Sequence, residues 1–276
     1  MSNQIQLGNL HTRAEQITAH GGTIDPEFIR VREAWSEFTQ TTTALVDDLA
    51  ASLLAGKTVS PEAFGLAQAE ALANNQSRAT VLQGVAARLY GPQKAAYDKT
   101  AKANYDTAAK AYNDAAKAFT AALGTVDPDA APETLMHADA KVREAWAAVP
   151  VLAAQLDAAA EFVTLTGHDN GVAATDTATL GLLLDRGNVA HRAVWDAWDA
   201  TSHAGRGGKW QALVQLGAKL TAPRLDQHQP IRRPKPLENR MVRRGPGYLQ
   251  GDFDPETNKF VDPQLERLAK SQALAS

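Results

Sequence analysis

Seven histidines, His11, His20, His137, His168, His191, His203 and His228, are the side chains best suited to metal binding or proton transfer at neutral pH. None stands in an H-E-x-x-H arrangement, and no two share one helix face at ligand spacing. His191 lies on the face of Trp195 and Trp198, where a core or interface histidine is the plainer reading. No G-x-S-x-G, G-x-x-x-x-G-K or G-x-G-x-x-G occurs. Gly205-Arg206-Gly207-Gly208-Lys209 has the amides and cations to cradle an anion, but no strand leads into it, so it reads as a hinge. Asp252, Asp254, Glu256 and Asn258 alternate like the start of a calcium loop. Thr257 and Pro263 stand where such a loop needs glycine and glutamate, which rejects calcium. Asp47-Asp48 and the Asp196/Asp199 pair read as solvated helix faces. The chain has no cysteine, which excludes disulfides, Cys-ligated metals and a thiol nucleophile. The sequence therefore predicts no catalytic residue, no cofactor site and no metal site. It is read as a non-enzyme.

Interaction chemistry is concentrated near the end. Seven of the 13 prolines lie between Pro223 and Pro263. Residues 221–250 carry seven basic side chains against Asp226 and Glu238, a net of +5. Pro230 to Pro236 should be extended and polyproline-like. Tyr248–Asp262 reads as a short hairpin turning at Asp254–Asn258, and Pro263–Ala273 as a last helix. A purely solvating tail has little reason to carry Ile231, Leu237, Met241, Tyr248, Leu249, Phe253, Phe260 and Val261. The segment is therefore expected to be a docking arm. Arg232, Arg233, Lys235, Arg240, Arg243, Arg244, Tyr248, Phe253 and Phe260 are its partner-binding residues.

Helices must carry this arm. With 53 alanines in 276 residues and 6% aromatics, the composition favours close-packed helices over sheets. Asp25-Pro26-Glu27 is a capped helix start, followed by a three-four seam of Phe28, Val31, Trp35, Phe38, Thr42, Leu45 and Leu49, ending at Gly56-Lys57. Ser60-Pro61-Glu62 starts a second helix, striped by Val81, Val85 and Leu89, to Tyr90. Gly91-Pro92 should stop and restart the chain. Tyr97, Tyr105, Tyr112 and Phe119 then alternate with Ala108, Ala115 and Ala122 in a heptad repeat, and Asp106 and Lys110 form an i,i+4 pair. A stacking platform for single-stranded nucleic acid would use the same rings, but the spacing favours a packing seam.

Pro132-Glu133 begins another helix, with a seam from Leu135 to Val163 and a kink or break at Pro150. Its Val142–Trp146 repeats Val31–Trp35, which is read as coincidence between Ala-rich helices rather than duplication. A loop at Gly167–Gly171 precedes helices at 175–185, 188–203 and 209–220. Trp35, Tyr97, Tyr105, Tyr112, Phe119 and Trp146 are the expected helix-packing residues.

The expected fold is mainly α: an elongated helical bundle with a long heptad-repeat helix, then an extended Pro/Arg-rich C-terminal arm with a small β-hairpin. Four segments follow: 1–24; the long-helix bundle 25–166; a short-helix subdomain 167–221; and the arm 222–276. The first six residues have no basic or apolar region of a Sec signal, and no apolar run is expected to span a membrane. The net charge of −3 argues against wholesale coating of nucleic acid.

Through Tyr97–Leu123 and Pro223–Phe260, this organisation resembles structural proteins of tailed-phage virions, of the minor head, scaffold or connector type. The Cys/His clusters common near the C-terminus of MuF-type minor head proteins are missing. The resemblance implies a virion component assembled in the host cytoplasm, with other copies of itself or other virion proteins as partners and no cofactor. An alternative is a cytoplasmic nucleic-acid accessory protein using residues 222–250. Another is a secreted helical bundle of a type VII-like system. That system's W-x-G turn is absent, and its Y-x-x-x-[DE] element survives only as Tyr248 and Asp252.

Overall fold

In the computed structural model, residues 3–40, 60–63, 65, 75–200, 205–244 and 246–273 are described. The molecule is mainly helical, with two small antiparallel sheets. The chain divides into two units. The first holds Met1–Ala111 and Ala159–Val172; the second holds Tyr112–Ala158 and Ala173–Ser276.

Helix α1 spans Asn3–Ala19 and α2 Pro26–Gln40. The Asp25 carboxylate accepts from the Glu27 amide at 2.8 Å, the bond an N-cap supplies, with Pro26 in the first turn where no amide is missed. Ser60 does the same for Ala63 at 3.2 Å. Of the Phe28 seam, Phe28 is buried, Trp35 is half-buried against Phe38, and Phe38 is 45% exposed. Thr42, Leu45, Leu49, Gly56 and Lys57 lie outside the described residues.

Helix α3 runs from Asn75 to Thr125 without interruption, so Gly91-Pro92 does not end it. An interior proline costs a helix about 3 kcal/mol. Here Pro92 and Arg88, four residues before it, are both exposed. Tyr97, Tyr105, Tyr112 and Phe119 are all buried. The alanines drift from the heptad, however: Ala108 and Ala122 are buried, but Ala116 is buried where Ala115 is only half-covered. A straight helix of 3.6 residues per turn moves a seven-residue repeat around its axis in this way. Val81 is 56% exposed, and Asp106 pairs with Lys102 at 2.7 Å, one turn back along the helix.

Pro132–Leu135 forms only a one-turn helix, α4, and the long helix α5 begins at Ala140 and ends at Asp169. It passes through the exposed Pro150 undivided. It also includes Gly167 and His168, expected in a loop. The turn comes at Gly171, whose φ of 87° lets its amide reach His168 O while the Val172 amide reaches Gly167 O, both at 3.1 Å.

In the first unit, Leu7, Ala14 and Ile17 of α1 join Phe28, Tyr97, Tyr105, Phe162 and Val163 in the core. Asn104 brackets Thr23, accepting from its amide and donating to its carbonyl, both at 2.8 Å. Asp169, its side chain 6% exposed, accepts from Arg13 Nε and, at 2.5 Å, from the Tyr97 hydroxyl.

In the second unit, Thr175 caps α6, Asp176–Gly181. The chain then enters β1, Leu184–Asp185, rather than continuing as helix. Helices α7 (His191–Asp199) and α8 (Gly208–Gln215) are shorter than expected. The stretch expected to continue α8 is instead β2, Lys219–Leu220, paired with β1. Trp210 sits between Tyr112 and Trp198 with ring centroids at 6.0 and 5.8 Å, and its indole donates to Asp157 at 3.0 Å. After the short 3-10 turn Leu225–Gln227 come β3 (Glu238–Arg244), β4 (Gly247–Asp254) and β5 (Lys259–Phe260) in one antiparallel sheet, then α9, Pro263–Ala273. Strand β3 was expected to be extended arm. Its ENRMVRR sequence buries only Val242, so no alternating apolar signal announced it.

Candidate functional site

The arm chemistry begins where residues 228–236 run along the second unit. Ile231 is buried and its amide donates to Thr177 O at 2.9 Å. The Trp195 indole, at the centre of α7, donates to Arg232 O at 2.8 Å. The guanidinium of Arg233 lies 4.0 Å from the Trp195 ring centroid and pairs with Asp199 at 2.6 Å and Asp176 at 2.9 Å. Those two carboxylates raise its pKa further above the usual guanidinium range. Asp199 was read as a solvated face. It serves as an anchor.

The turn between β4 and β5 completes this attachment. Arg192 of α7 grips Asp254 with two bonds, Nε at 3.0 Å and Nη2 at 3.1 Å, and also donates to Lys235 O at 2.6 Å. Asp254 is buried, and the Arg192 bonds lead the causes that hold its pKa down at about 2. Glu256 accepts from Arg232 and, at 2.9 Å, from the Lys235 amide, and Arg232 is the main cause of its lowered pKa. The acidic alternation that imitates a calcium loop thus binds arginine. Among the described residues, no group of three or more His, Asp or Glu side chains could hold a metal ion.

The register of the sheet separates its two faces. Arg240 pairs with Glu238 and lies 3.5 Å from the Phe253 ring centroid, while Phe253 meets Phe260 edge-on at 5.3 Å. Val242, Phe253 and Leu265 of α9 are buried on that side. On the other face, Asn239 stands opposite Asp252, Met241 opposite Gln250, and Arg243 opposite Tyr248. Met241 is 70% exposed and Tyr248 68%. Arg243 and Arg244 are also exposed.

Of the nine expected partner-binding residues, Arg232, Arg233, Arg240, Phe253 and Phe260 engage side chains of their own unit. All nine except Phe253 and Phe260 are exposed as residues, Tyr248 at 68%. Among the packing residues, the four rings of α3 are buried. Trp146 is half-buried beneath Arg206, whose guanidinium lies 3.4 Å from the ring centroid. Sequence reasoning missed Arg192, Asp254 and Trp195 as the fastening points. Asp254 looked like a turn residue, and its partner is 62 positions away.

One helix among the described residues, α5, is by length and composition alone apolar enough to cross a membrane. Its Val149, Leu156 and Val163 are nonetheless fully buried, as in a core helix. Comparison with protein-family models, with curated proteins and with solved structures finds no match to this chain.

Proposed function

We propose that this chain is a non-enzymatic structural protein that assembles with copies of itself, as a component of a tailed-phage virion. In this reading the aromatic–alanine helix belongs to a helical bundle, and within the expected arm 222–276 it is the terminal sheet that meets a neighbour, because residues 228–236 are held to their own unit. The outer face of the terminal sheet, Met241, Arg243 and Tyr248, is the docking surface. The observation that carries the proposal is the exposure of a methionine and a tyrosine beside an arginine on one face of the terminal sheet. Tyrosine, methionine and arginine are the residue types enriched where proteins meet.

A second copy is the occupant favoured by charge. Residues 221–250 carry +5 in a chain of net −3, so the remainder carries −8. The arm of one subunit would thus meet the acidic remainder of another. Light-scattering mass on a sizing column tests this, using the full chain and a Met241→Asp/Tyr248→Asp variant. A defined oligomer that the variant loses, with unchanged helicity and melting, is expected. A monomeric full chain overturns the proposal, as does an oligomer that the variant keeps. Steeply salt-dependent DNA binding lost in the same variant would replace it with the nucleic-acid reading.

A further inference from the structure

The second unit contains a cleft of about 720 Å³ that the assembly reading does not use. We infer that it is a binding site for a small ligand carrying a phosphate or carboxylate group. Its volume lies within the range of small-molecule sites. One wall is the end of α6 and the turn after β1, and the facing wall is the strap of residues 221–232.

This strap is built in place. Its Thr221 amide donates to Leu183 O at 3.1 Å, and His228 Nε2 lies 2.8 Å from Ala178 O. The Ile231 amide and the Trp195 indole close the far end through the bonds to Thr177 and Arg232 described above. Gly181 allows the close approach: a β-carbon there would stand 2.2 Å from Gln229 O. A site preformed in this way spends little binding energy on ordering itself.

The lining brings cations together. Arg186, His191 and Arg232 all border the cleft, with Gln227 and Gln229. Arg186 is steadied by one bond to Val189 O at 2.8 Å, and Arg232 by Glu256. A guanidinium has five N–H donors in a planar fork, so both retain the geometry to grip an oxyanion. Asp185, the one carboxylate among the lining residues, accepts from the Gly187 amide at 2.9 Å within its own turn. The combined field reaches the imidazole. Burial, Arg186 and Arg232 all lower the His191 pKa, with Glu256 opposing them. An anion seated between the two guanidinium groups would reverse that effect, so His191 reports occupancy.

The experiment is NMR titration of the histidine rings in the full-length protein between about pH 5 and 8. It is run with inorganic phosphate, with succinate, and with sodium chloride at matched ionic strength. Phosphate or succinate should raise the His191 midpoint, with half-saturation at or below about 1 mM. Chloride should not. Arg186→Gln should weaken the response at least about tenfold and Arg186→Lys, which keeps the charge but not the fork, should weaken it less, both with wild-type melting. A response to phosphate alone assigns a phosphate-bearing ligand, and one to succinate alone a carboxylate. No response to either anion overturns the site. So does a response that chloride reproduces, or one that a folded Arg186→Gln keeps.

Discussion

The turn end of the terminal sheet and its Met241–Tyr248 patch are made from similar residues and differ in how much of them the chain itself covers. Around the β4–β5 turn and on the Phe253 side, arginines meet carboxylates and rings of the same unit: Arg192 with Asp254, Arg232 with Glu256, and Arg240 over Phe253. On the outer face, Arg243 and Tyr248 stand opposite each other beside Met241 and are exposed. A basic, aromatic segment is therefore not by itself a binding arm. Its chemistry is available to a partner only where the side chains stay exposed, as those of Met241 and Tyr248 do.

The strongest way to break this contrast is Arg192→Ala. It strands a buried carboxylate, and loss of one partner of such a pair costs about 3–5 kcal/mol. Urea unfolding should show that loss, whereas Tyr248→Ser should leave the urea midpoint unchanged. Equal midpoints for the two variants would erase the distinction between the turn and the patch.

Acid gives the next effect, and it has opposite signs in the two units. Asp254 is held at about 2 against a usual 3.8, so its stabilising contribution is present above 3.8 and is lost as the pH falls toward 2. Asp169 has a raised pKa because burial outweighs its bonds to Tyr97 and Arg13. The folded state therefore favours its protonated form, and its contribution falls as the pH rises through that raised pKa. Hydrogen exchange followed from pH 4 to 2 should show β4 and the strap losing protection, and Asp254→Asn should flatten that dependence. An unchanged acid profile in Asp254→Asn would show that the Arg192 pair does not set it.

Trp195→Phe comes third. It removes the donor to Arg232 O while keeping the ring beneath Arg233, and a lost hydrogen bond of this kind costs about 1 kcal/mol. Chemical denaturation measures it. Arg233→Ala should be smallest, because its pairs with Asp176 and Asp199 are half-exposed and screened by salt. A larger loss for Arg233→Ala than for Arg192→Ala would reverse the ranking of the two ion pairs.

Much of the local structure was legible. Asp25 before Pro26, Ser60 before Pro61, and Pro263 opening a helix that ends at Ala273 all behave as their side chains dictate. The rings of α3 are buried as their spacing implied, and β4 turns into β5 at Asp254–Asn258. Errors arose where a residue's local tendency was outvoted. Pro92 and Pro150 failed to break their helices, and Gly167 stayed helical. Lys219–Leu220 left a helical pattern to pair with Leu184–Asp185. In the candidate surface, the sequence identified the segment and the residue types. It did not separate Arg233, tied to two acids, from Arg243 on the outer face.

The sequence by itself determined a helical protein without cysteine chemistry, its capped helix starts and a basic C-terminal segment, because each follows from composition or from neighbours within about a turn. Only the tertiary structure decided that Arg13 would meet Asp169 across 156 positions and that Arg192 would hold Asp254 across 62. It also decided that the strap would close over a cleft lined by Arg186 and His191. Periodicity specifies which face of an element is apolar. Which charge finds which depends on how separate elements pack, and no spacing along the chain encodes that.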